Sequence, residues 1–96
     1  MATLDGITGQ GRAVETRGRS RAPRRSGFIR VKPADLKQLV AAMERGSATF
    51  SGPLEVDGKA TFRTFAVAIT KIDPATCIVD FIQAGPIPGI DSNLSK

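Results

Sequence analysis

Between Pro33 and Gly46 the apolar residues recur at helical spacing, and on both sides of that segment the period drops to two. Leu36, Leu39, Val40 and Met43 fall at i, i+3, i+4 and i+7, which is one face of a helix. Pro33 stands where the first turn begins and Asp35 lies near the positive end. Arg45 is in the last turn and Gly46 stands at the stop. A lone amphipathic helix must lay its stripe on something apolar, and the flanking segments read as strands, so the chain is α+β.

The strand signals are uneven. Gly27 to Lys32 alternates apolar and basic residues, with Phe28 slightly out of phase. Ser47 to Ser51 reads as a strand, Gly52-Pro53 as an interruption, and Leu54 to Val56 as its resumption. Asp57-Gly58 is a hairpin signal, because a type I′ turn needs positive φ at both central residues. Lys59 to Ile72 is rich in Thr, Phe, Val and Ile. Asp73-Pro74-Ala75-Thr76 reads as a type I turn, and Cys77 to Gln83 as a further strand. The expected fold is a small antiparallel sheet of about four strands in the order β-α-β-β-β, with the helix on one face. Phe65, Val67 and Ile69 share one strand face and Cys77, Val79 and Phe81 another; these sets should meet the helix. The opposite face, with Phe62, Ala66, Ala68, Ile78 and Ile82, is diluted only by Thr64, Thr70 and Asp80. It is too apolar to stand in water. It calls for cover by the N-terminal strand or the tail, or for a contact between copies of the chain.

Charge divides the chain differently. Six arginines against Asp5 and Glu15 leave +4 on residues 1–27, whereas eight cations against seven acids leave +1 on residues 28–96. The N-terminal quarter has no aromatic residue and is rich in Gly, Ser and Thr, a composition that buries too little apolar surface to offset its ordering entropy. The expected division is a flexible basic arm over 1–26, an α+β domain over 27–84 and a Pro/Gly-containing tail over 85–96.

Composition excludes several chemistries. With no His and a single Cys, histidine catalysis, Cys/His zinc sites and a disulfide framework are all absent. Gly9-Gln10-Gly11 lacks the preceding strand, third Gly and following helix of a dinucleotide loop. Cys77 has no His to activate it and reads as a packing residue. No EF-hand spacing occurs among the acids. No enzyme, cofactor, metal or small-molecule substrate is expected. Residues 1–10 contain no secretory apolar run, and the longest such run, Phe65 to Ile69, is far below the roughly 18 residues that span a bilayer. The expectation is a cytoplasmic protein without a membrane partner.

Arginine's planar, permanently charged fork suits phosphate oxygens. Arg12, Arg17, Arg19, Arg21, Arg24 and Arg25, extended by Arg30 and Lys32, therefore point to DNA or RNA, bound through phosphates without base preference. Lys59 to Phe65 also interleaves basic and aromatic residues, but Phe62 and Phe65 point to opposite faces and cannot form one stacking platform. Two other roles fit the same features. One is a structural subunit of a particle or filament whose arm reaches a neighbour or a packaged genome. The other is a small inhibitor or adaptor that meets an acidic protein surface. Self-association through the half-apolar sheet face is expected in the first two.

Overall fold

The computed structural model describes residues 1–16 and 23–84. The elements run β1 (Ala2–Leu4), β2 (Ile7–Thr16), β3 (Arg24–Arg30), a 3₁₀ turn (Pro33–Asp35), α1 (Leu36–Arg45), β4 (Ala48–Val56), β5 (Lys59–Asp73) and β6 (Ile78–Gln83). The α+β class and the single helix are as expected, but there are six strands instead of about four. They form one sheet closed into a barrel in the order β1-β2-β3-β6-β5-β4. Neighbours are antiparallel, and a short parallel contact of Ala13 and Val14 with Leu54 and Glu55 joins β2 to β4.

The additional strands lie where a free arm is expected. Ala2–Leu4 and Ile7–Thr16 are paired strands, and β3 starts at Arg24, so over the described part of 1–26 the flexible arm is corrected to barrel wall. A second Asp-Gly turn makes this possible. Asp5 and Gly6 have φ of 53° and 85°, matching Asp57 and Gly58 at 53° and 82°. Residues 17–22, with Arg17, Arg19 and Arg21, and the tail over 85–96 lie outside the described residues.

Inside the barrel, Phe50 stacks obliquely on Phe65 and Phe81, with ring centroids 5.5 and 4.6 Å apart. Leu4, Ile29, Leu39, Leu54, Val67 and Val79 are fully buried around them. The predicted inward residues Phe65, Val67, Ile69, Val79 and Phe81 are all in this core. Cys77 is not: it is half-buried in the turn, at φ 61°, and β6 begins one residue later. The helix buries Leu39 and Ala42, with Leu36 and Met43 at the margin, and packs against β5. Val40 faces outward, so the buried stripe is turned by one position from the predicted one. Gly46 ends α1 at φ 83° and its N–H reaches the carbonyls of Ala42 and Met43.

Gly52-Pro53 does not interrupt β4. Pro53 stands where β4 leaves β1 (Thr3 opposite Ser51) and meets β2 (Ala13 opposite Leu54), a changeover in the ladder that tolerates a residue without an N–H. The tightest packing is between β2 and β3. A Cβ built on Gly11 would lie 2.1 Å from the Phe28 carbonyl oxygen, and one on Gly27 would lie 2.2 Å from that of Arg12. No side chain fits at either place.

The turn between β5 and β6 is held by Asp73, whose Oδ1 accepts the Ala75 N–H at 2.9 Å while its carbonyl accepts the Cys77 N–H at 2.8 Å. The bond from Ala75 holds the Asp73 carboxyl below its ordinary value of 3.8. A depressed carboxyl stabilises the fold above its unfolded-state pKa, and that stabilisation is lost as pH falls through the folded value. Asp73→Ala should therefore lower stability at neutral pH and flatten the acid side of the curve below 3.8, which thermal melts against pH will read. Gly11→Ala should destabilise the fold by about 2–3 kcal/mol, measured by urea unfolding.

Candidate nucleic-acid interface

Strand alternation sorts the basic residues of the β2–β3 hairpin onto two faces. Ala13 and Glu15 of β2 and Arg25 and Ile29 of β3 point into the barrel; Gln10, Arg12, Val14 and Thr16, with Arg24, Ser26, Phe28 and Arg30, point out. The eight predicted site residues divide accordingly. Arg12, Arg24, Arg30 and Lys32 are exposed, Arg17, Arg19 and Arg21 lie outside the described residues, and Arg25 faces inward.

Arg25 is a structural residue. Its Nε donates to Glu15 Oε1 at 3.0 Å, with the two side chains 12% and 4% exposed. Its guanidinium lies 4.9 Å from the centre of the Phe65 ring, and its backbone N–H donates to Gln83 Oε1 at 3.0 Å. This corrects the expectation that Arg25 meets phosphate. Arg45 is also occupied: Nη2 donates to Asp5 Oδ2 at 2.7 Å, tying the end of α1 to the β1–β2 turn. Arg12, Arg24 and Lys32 enter no ion pair among the described residues, and Arg30 makes only a long 3.4 Å bond from Nε to the Thr76 carbonyl.

Two of the exposed cations neighbour an aromatic ring. Register places Arg12 of β2 directly opposite Phe28 of β3, with Asp80 of β6 on its other side and Lys71 of β5 opposite Asp80. The next row runs Gln10, Arg30, Ile78, Asp73. Phe28, 38% exposed, is thus flanked by Arg12 across the ladder and Arg30 along the strand. Gln10, Gly11, Arg12, Phe28, Arg30 and Ile78 line a shallow groove of about 360 Å³. A neighbouring depression shares Gln10 and Arg30 and continues past Lys32 to Thr76.

Sequence reasoning found the cations but not the ring. Phe28 is out of phase with the inward Ile29 because it belongs to the outward set with Ser26 and Arg30. The available signal was Phe28 standing two residues before Arg30, on the same side of a strand.

Among the described residues no group of three or more His, Cys, Asp or Glu could hold a metal, and no helix is long and apolar enough to cross a membrane. No family model, no curated protein and no solved structure matches this chain.

Arg25→Met should lower stability by about 2–3 kcal/mol, through loss of the buried ion pair and the ring contact, whereas Arg12→Met should change it by less than about 0.5 kcal/mol. Chemical denaturation of both variants checks the division between inward and outward arginines.

Proposed function

We propose that this chain is a non-enzymatic nucleic-acid-binding protein that takes single strands along the outer face of the β2–β3 hairpin. The supporting observation is the exposed Phe28 ring set between Arg12 and Arg30. A base stacks on an exposed ring whatever its identity, and the guanidinium groups across the β2 ladder and along β3 hold the adjoining phosphates. Arg24 extends the cationic track toward one end of the hairpin and Lys32 toward the other. Arg17, Arg19 and Arg21 stand between the two strands in the sequence. The cations stand on a fixed strand face, on which the spacing between them is set by the ladder. Recognition is sequence-tolerant, since stacking and phosphate contacts carry little base information.

Fluorescence anisotropy with a labelled oligothymidylate at stepped salt concentrations tests this reading. Four engaged cations give a slope of log K against log salt near about −3 on a single strand, and the three further arginines bring it toward about −5. Phe28→Ala should weaken binding by about 1–3 kcal/mol and leave the slope unchanged. Arg30→Ala should reduce the slope by about 0.7. A slope near zero, or full binding by Phe28→Ala, refutes the proposal.

A further inference from the structure

The long strand β5 is only partly partnered on its β6 side. Its pairing with β6 runs from Val67 to Asp73, whereas its pairing with β4 covers Lys59 to Val67. Among the described residues nothing pairs with the other side of β5 from Lys59 to Phe65. The Ala84 N–H still reaches the Ala66 carbonyl at 2.9 Å, so Ala66 turns its backbone groups toward that side. Backbone direction alternates along a strand, and Thr64, Phe62 and Ala60 therefore turn theirs the same way, into an open edge. Residues 59–64 are exposed on both faces, and Phe62, at 65%, is among the most exposed apolar side chains of the barrel.

The chain's own tail is a poor occupant. Continuing the ladder beyond Ala84, the next N–H groups to face β5 would belong to residues 86 and 88. Both are proline and have no hydrogen to give. We infer that the edge is filled by a second copy of the chain, the two β5 strands pairing antiparallel about a two-fold axis with Phe62 opposite Phe62 of the second copy. Charge selects this register among those that backbone parity allows. Centring on Phe62 lets Ala60, Phe62 and Thr64 each donate and accept across the edge, sets the two rings side by side, and puts Thr61 opposite Arg63. Centring on Thr61 would place Lys59 opposite Arg63, and centring on Arg63 would oppose two guanidinium groups, both unfavourable. The contact is isologous, so it closes at two copies. It is also independent of the nucleic-acid reading, because Phe62 lies outside the Phe28 groove.

Sedimentation velocity of the full chain over a range of concentrations should show a reversible monomer–dimer equilibrium. Phe62→Ala should raise the dimer dissociation constant by about tenfold. Phe62→Pro should abolish the dimer; its lost N–H faces the edge and not β4, and circular dichroism will report whether the barrel is intact. Phe62→Lys provides the same test without a proline. In a Cys77→Ser background, Phe62→Cys should oxidise to a covalent dimer and Thr70→Cys should not. A chain that is monomeric throughout overturns the inference. So does one that dimerises only after residues 85–96 are removed, one that grows beyond two copies, or a dimer undiminished in a folded Phe62→Lys variant.

Discussion

Closure of the barrel rests on how closely β2 and β3 approach. The backbone of each strand occupies the space a side chain would need on the other, at Gly9 and Gly11 on one side and Gly27 on the other. The pairing of β1 with β4, Thr3 opposite Ser51 and Leu4 opposite Phe50, closes the sheet, and the contact of β2 with β4 at Ala13 and Leu54 reinforces the seam. With the wall closed, the phenylalanine cluster around Phe50 has no solvent face, which a modest domain of 96 residues needs if its core is to be dry.

The same glycines explain what could and could not be read from the residues. The inward positions of β2 are Ile7, Gly9, Gly11, Ala13 and Glu15, while Val14 points out. A strand with glycine at two inward positions and Glu15 at a third carries little apolar alternation, so periodicity has little to detect there. Composition then favours an unstructured segment. Turn chemistry was the surviving signal: Asp5-Gly6 is the same dipeptide as Asp57-Gly58 and adopts the same conformation, yet only the second stands between strands of strong alternation. The helix, the long β5 strand and the core residues of β5 and β6 were legible because their apolar patterns are intact. Six strands, the barrel and the face of Phe28 were not, since they follow from which distant strands pair.

Arginine placement shows why a charge count is an incomplete guide to a binding surface. Strand parity gives Arg24 and Arg25 opposite environments although they are neighbours. One is exposed; the other sits against Glu15 and the Phe65 ring, where it organises the barrel's interior. The candidate interface is therefore smaller than the count of cations suggests but better defined. Its residues stand at the fixed intervals of a pleated ladder, with an aromatic ring among them.

The barrel joins segments far apart in the chain. Strand β1 pairs with β4, and β3 pairs with β6 through contacts such as Ser26 with Ile82. During synthesis β1 and β2 must wait for β4, and β3 must wait for β6, before their outer partners exist. Such non-local connectivity slows folding relative to a helical chain of equal size. The nascent polypeptide consequently passes through a period in which the inner surface of the first hairpins is uncovered and open to aggregation.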